Sequence, residues 1–317
     1  MTLRLTVLTE LWRNHLATTV TAYGEMVPVV KGNGYGFGRS ALMLEAAKIS
    51  PTVAVGSVFE VADAPAASTA IVLTPAGIDL PLPLPKQTIL TVGSLHHVAT
   101  LRSGGWRGPV IIKLQSRMLR YGATSAELPD LLSAVRDADC TQVGWSVHPP
   151  LDGTPAQHRE DVSKWLKKLD PKFPIHVSHL DAESVQQLRS DFKQHHIVAR
   201  VGTALWLGDK SSMKLHTDVL DARAVKAGAT AGYRSTKIST DGTIVLVGSG
   251  SAHGVHTVGN DLSPFHFQRR RLQLLEPSHM HTTMLFVAAG EPCPLPGDFV
   301  DVQQPLTRVV ADTIYWT

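Results

Sequence analysis

Apolar positions along this chain fall into two textures. Over roughly the first two hundred residues, short continuous apolar runs alternate with stretches of helical spacing. The runs are VPVVK (27–31), TVAVGS (52–57), AIVLTP (70–75), TILTVG (88–93), PVIIKLQ (109–115), QVGWSVH (142–148), FPIHVSH (173–179) and HIVARVG (196–202). A brief apolar run bounded by turn residues suits a strand buried on both faces. Between most of them lie helical patterns: SLHHVATLRSGG, SAELPDLLSAVRDA, AQHREDVSKWLKKLD and AESVQQLRS. An opening helix is predicted after Thr9, with Trp12, Leu16 and Val20 at spacing four. Eight strands alternating with helices predict an α/β fold, the (β/α)8 barrel, with a doubly wound open sheet as its competitor. The weakest stretch is 76–87, where GIDLPLPLPKQ is broken by proline and too short for an ordinary helix.

From residue 214 the pattern changes to strand-like runs without a convincing helix: LDARAVKAG, AGYRSTKIS, GTIVLVGSG, RRRLQLLE, TTMLFVAA and GDFVDVQQ. Turn signals separate them, with DG at 241–242, GN at 259–260 and PGD at 296–298. The expected organisation is therefore a barrel over 1–213 and an all-β domain over 214–317.

Composition narrows the class without changing it. The 317 residues are 43% hydrophobic, enough for a sizeable core, and the net charge is only +3. Arg269, Arg270 and Arg271 sit among Phe265, Phe267, Leu272 and Leu274, which suits a solvated strand face or interface better than a nucleic-acid patch. Cys140 and Cys293 make no disulfide framework. There is no run of apolar residues long enough for a membrane span and no signal-peptide pattern at the N-terminus, so a cytoplasmic location is expected.

Chemistry concentrates where the runs end. In such a barrel the strand C-termini form the active face, and loops after the seventh and eighth strands often hold phosphate. The first run ends at Lys31, followed by a glycine-rich turn and Tyr35. A lysine ammonium closing a buried strand is costly to desolvate. It either snorkels to water or serves as a neutral nucleophile, tied up as an imine with a carbonyl compound. The fifth run contains Lys113 and leads to Arg120; the sixth ends at His148. Ser184 falls at a helix start, where its hydroxyl and the free amides could bind phosphate. The eighth run carries Arg200, followed by Gly202 and Thr203. Each alone has an ordinary structural explanation, yet all fall at ends facing one mouth.

The same segments resemble those of the alanine racemase family. VVKGNGYGFG is similar to that family's VVKANAYGHG, KLQSRMLRYG to K-x-D-T-G-M-G-R-L-G, ESVQQL to NSAAxL, and RVGTALWLG to RPGIALYG. GWSVH resembles the segment that ends in the histidine beside the cofactor. The likeness covers nearly the whole chain. It implies a pyridoxal 5'-phosphate (PLP) enzyme, a homodimer that interconverts L- and D-amino acids by proton transfer at Cα. By that resemblance Lys31 carries PLP as an imine. Tyr35, Ser184, Gly202 and Thr203 hold its phosphate, His148 lies against the ring, and Arg200 faces the pyridine nitrogen. Arg120 and Met280 face the substrate. The lysine matching Lys113 is often carbamylated in the family.

The resemblance fails at the second base. The family uses a tyrosine in GYADG, given by the partner subunit. Here the stretch reads VGSGSAHGV, which sets Ser251 in the tyrosine's place and His253 in that of the aspartate. A serine is a poor base without an activating neighbour, so His253 or His281 is the expected acid–base group. The motif S/C-M-D-Q becomes HMHT, with His279, Met280 and His281. A racemase acting on alanine is the expected function. A PLP-dependent D-amino-acid lyase (a dehydratase or aldolase) with histidine-held metal, or a PLP-binding protein without catalysis, are the alternatives.

Overall fold

The computed structural model describes residues 2–77 and 80–317. The chain folds into two compact units, one of residues 15–34 and 39–208, the other of residues 1–14, 35–38 and 209–317.

The first unit is the expected barrel. Its parallel strands are β1 (Met26–Pro28), β2 (Thr52–Val55), β3 (Thr69–Val72), β4 (Thr88–Val92), β5 (Pro109–Lys113), β6 (Thr141–Val147), β7 (Ile175–Val177) and β8 (Ile197–Val201). They run β1-β8-β7-β6-β5-β4-β3-β2 around the sheet. A bridge between Val29 and Ala54 brings the ends together, with the Val30 amide donating to the Ala54 carbonyl at 2.8 Å. Val27, Val29, Ala54, Ile71, Ile111 and Val198 form a buried cluster, the branched filling that a barrel core needs.

Helices α1 (Thr9–Tyr23), α2 (Arg39–Ile49), α3 (Leu95–Ser103), α4 (Leu128–Asp137), α5 (Pro155–Leu166), α6 (Ala182–Asp191) and α7 (Thr203–Leu207) complete the α/β pattern. In α1, Trp12 and Leu16 are buried, as spacing four requires. Local chemistry starts the later helices: Thr154 and Gln157 form a capping box before α5, and Asp181 accepts the Ser184 amide at α6. Two crossovers lack an α-helix. Between β2 and β3 there is a 3-10 turn, Val58–Asp63. Between β3 and β4, Ile78 and Asp79 lie outside the described residues, and the rest of 76–87 is non-helical, its alternate prolines supplying no amide donors.

The second unit is antiparallel β, with short 3-10 turns and no α-helix after Met213 among the described residues. Its long strand Met213–Val225 pairs with Gly242–Val247, Phe299–Val302 and Leu3–Val7, shifting register between Val219 and Asp221. Leu3–Val7 also pairs in parallel with Thr313–Trp316. No helix among the described residues is long and apolar enough to cross a membrane.

Candidate active site

The sequence places functional side chains at the C-terminal ends of the barrel strands by turning each strand sharply. Beyond β1 the chain reaches Lys31, and the amide of Gly32 donates to Glu60 Oε1 at 3.0 Å. Gly56, just past β2, makes the space: a Cβ there would come within 3.2 Å of Lys31 Cβ and 2.9 Å of Glu60 Oε2. The Lys31 ammonium has no hydrogen bond or ion pair among the described residues. Desolvation lowers its pKa, and the charges of Arg120 and Arg200 lower it further, against a raising contribution from Glu60.

Lys113 closes β5 with 6% exposure. Its nearest partner is Ser146 Oγ at 3.5 Å, a weak contact. Burial, followed by Arg200 and Arg120, holds it well below the usual lysine value. After β5 the loop folds back, the Gln115 amide donating to the Ala123 carbonyl and the Ala123 amide to the Lys113 carbonyl. Trp165 of α5 donates to the Gln115 carbonyl at 2.8 Å, and Arg117 pairs with Asp161. This loop carries Arg120, which lies over the Tyr121 ring and donates to its hydroxyl at 3.0 Å.

Arg200 of β8 is buried and bonds only to neutral acceptors, Ser178 Oγ at 3.1 Å and the Val147 carbonyl at 3.3 Å. Burial pushes it down to about 10, which still leaves the guanidinium charged at neutral pH. His148 follows β6. Burial together with Lys113, Arg200, His179 and Arg120 drives its pKa far below the usual histidine value, so its ring is neutral. His179, two residues past β7, sets its ring centroid 4.2 Å from that of His148. Past β8, the Gly202 carbonyl accepts from Leu205 and Trp206. The amides of Thr203 and Ala204 donate to no acceptor among the described residues, and both residues are exposed.

Lys31, Lys113, Arg120 and Arg200 thus concentrate positive charge at one end of the barrel, where the charge of Glu60 acts on Lys31 in the opposite sense. Such a set fits an anion that brings several acceptors.

The sequence pattern of the alanine racemase N-terminal domain matches residues 9–210. The chain belongs to the alanine racemase family. The same fold is found in alanine racemase from Bartonella henselae, whose structure has covalently bound pyridoxal phosphate (TM-score 0.76, 19% identity, 99% of both chains). It is found also in the biosynthetic alanine racemase of Pseudomonas aeruginosa (0.74, 19%, 100% of both) and that of E. faecalis (0.73, 17%, 99% of this chain and 98% of that one). A search of curated protein sequences gives no match.

Against the positions suggested by the family motifs, the barrel unit brings together Lys31, Lys113, Arg120, His148, Arg200, Gly202 and Thr203 at the strand ends. Ser184 stands apart. It is fully buried, its hydroxyl accepts from Arg159 Nη1 at 3.1 Å, and its amide is taken by Asp181. The amide expected to meet a phosphate is taken by the Asp181 carboxylate at that helix start, whereas the hydroxyl, an acceptor from Arg159, keeps its own proton to donate. Tyr35 belongs to the other unit, where it is buried at a left-handed φ of 55°.

Two of the β-unit candidates, Ser251 and His253, are engaged in contacts of their own. Ser251 Oγ donates to the His279 carbonyl at 3.3 Å, with no base beside it. His253 accepts the Gly250 amide at Nδ1 (3.1 Å) and pairs through Nε2 with Asp312 (3.1 Å). Both ring nitrogens of His253 are thus engaged, one accepting from an amide and one facing a carboxylate. His279 bonds Glu276, while Met280 and His281 are exposed. His179 is a site residue that none of the family-like motifs marks. The signal was the one that found His148, a histidine where an apolar run stops.

Proposed function

We propose that this protein is a PLP-dependent amino-acid racemase, with alanine as the leading substrate. The supporting observation is the unbalanced positive cluster around a solvent-reaching lysine with a lowered pKa, at the active face of an alanine racemase family barrel. That donor set suits a cofactor with a phosphate and a phenolic oxygen. When bound, PLP supplies an electron sink for breaking a bond at the α-carbon of an amino acid.

The residues would divide the work by their chemistry. Lys31 is the nucleophile: a lowered pKa raises its neutral fraction near pH 7, and only the neutral amine attacks a carbonyl. Arg200 donates and cannot accept a proton, so a ring nitrogen facing it keeps its lone pair and stays unprotonated. The Gly202–Thr203 turn would hold phosphate, Thr203 and Ala204 offering free amides. His148, held neutral, would lie against the ring without adding positive charge. Arg120 would receive the substrate carboxylate or phenolic oxygen, with Met280 shaping the side-chain wall. We assign the active form as a homodimer and its location as cytoplasmic.

Borohydride reduction in the presence of PLP tests the reading. Mass spectrometry should find the reduced adduct on the Lys31 peptide, and Lys31→Ala should lose it. The wild-type protein should also wash deuterium into Cα of alanine in deuterated water. A reducible adduct that persists in Lys31→Ala would place the cofactor elsewhere.

A further inference from the structure

The family tyrosine is missing, no hydrogen bond to a base activates Ser251 among the described residues, both nitrogens of His253 are engaged, and His281 is exposed. Racemisation nevertheless needs a proton-transfer group on each face of Cα. Resting on the function just proposed, we propose that His179 of the barrel itself is the second acid–base group, acting on the opposite face of Cα from Lys31 for a small α-amino acid substrate.

Four observations carry this. First, position: β7 stands two strands from β1 around the barrel, by way of β8, so groups beyond the two strands reach the mouth from separate walls. The charge of Lys31 nevertheless acts on His179. Second, tautomer: His179 Nδ1 lies 2.9 Å from the Pro149 carbonyl, which can only accept, so Nδ1 must carry the proton. The neutral ring then presents its lone pair at Nε2. Third, backbone: His179 adopts φ of 61°, a left-handed conformation uncommon for a side-chain-bearing residue. Strain of this kind collects at functional sites. Fourth, its partner: His148 lies against it, and its charged form is disfavoured by burial and by Lys113, Arg200 and Arg120. A proton held by the pair therefore resides on His179, where the carbonyls of Pro149 and Pro150 favour it. Desolvation, Lys31 and His158 oppose it, with a net lowering of the pKa.

The step balances. Nε2 takes the α-proton, an N–H bond forming as C–H breaks, and the electron pair stays with the substrate carbon. The Lys31 ammonium delivers a proton to the other face and becomes the neutral amine, and the reverse direction exchanges the two roles. Exchange with water restores both groups, and substrate and product are isomers.

Nitrogen-15 NMR of the protein's imidazoles, which needs no turnover, should find His179 as the Nδ1–H tautomer with a titration midpoint below the ordinary 6.5. His179→Asn, a residue that tolerates the left-handed backbone, should cut inversion of both enantiomers about 10²–10⁴-fold, the usual worth of an acid–base group. Borohydride trapping at Lys31, and deuterium exchange of the one enantiomer that Lys31 serves, should stay within a few fold of wild type. His179→Gln repeats the test should the first variant fold poorly. Wild-type inversion rates in either folded variant, or an Nε2–H tautomer, would overturn the assignment while leaving the racemase reading intact. Absence of trapping at Lys31 in the wild-type protein would overturn both.

Discussion

Lys113 is the residue whose environment is hardest to reconcile with its charge. It is 6% exposed, has one weak hydroxyl contact, and faces Arg200 and Arg120 rather than a carboxylate. Its folded pKa lies well below that of the unfolded chain, so between those two values the unfolded state binds more protons. Stability therefore rises with pH across that window and levels off near 10.4, the pKa of a free lysine. Below the folded pKa the full cost of the buried charge is present. Lys113→Met removes the charge and keeps much of the volume. It should stabilise the cofactor-free protein by about 1–4 kcal/mol at pH 7, as when apolar residues replace buried charges, and should flatten the rise between pH 7 and 10. Urea unfolding at several pH values measures both. A destabilised variant with an unchanged slope would show that Lys113 is compensated in a way its visible partners do not provide.

At the scale of elements, the strand-to-loop junctions carried most of what the sequence disclosed. Eight apolar runs became eight strands, trimmed by a few residues, because each run stops where the chain must leave a buried layer. Lys31, Lys113, His148 and Arg200 were legible for the same reason. Ser184 at its helix start meets a cap, Asp181, and a long-range partner, Arg159. Neither partner is implied by local pattern. His253 likewise has partners distant in sequence. A histidine in an altered catalytic motif reads as chemistry, yet it ties the turn Ser251–His253 to Asp312 and to the Gly250 amide. His253→Ala should therefore cost about 1–3 kcal/mol of stability through an unsatisfied buried amide. Its effect on inversion should not exceed its effect on folded fraction. Comparing the thermal midpoint with the rate per folded molecule separates the two roles, and a stable variant with slow inversion would return His253 to the chemistry.

For the molecule as a whole, the most instructive feature is how far apart in sequence the β unit's strands lie. Leu3 faces Thr217 and Arg4 faces Thr313, so Leu3–Val7 joins a sheet otherwise supplied by residues after 212. LRLTV has a clean alternation, with Leu3, Leu5 and Val7 fully buried and Arg4 and Thr6 half-buried. That period marks a strand but says nothing of its partner, so sequence order alone would assign these residues to the neighbouring barrel. The strand is flanked on both sides, by Met213–Val225 and Thr313–Trp316, so it is an interior member of its sheet. Trp12, Phe37 and Trp316 gather in the same unit, with Trp12 and Trp316 centroids 5.2 Å apart. Leu5→Ala empties a fully buried site and should cost about 2–5 kcal/mol, the range for deleting a core leucine. The urea midpoint read by tryptophan fluorescence should fall accordingly. A loss within 0.5 kcal/mol, the scale of surface substitutions, would mean that the amino-terminal strand is dispensable to the sheet and that the domain after residue 213 folds on its own segment.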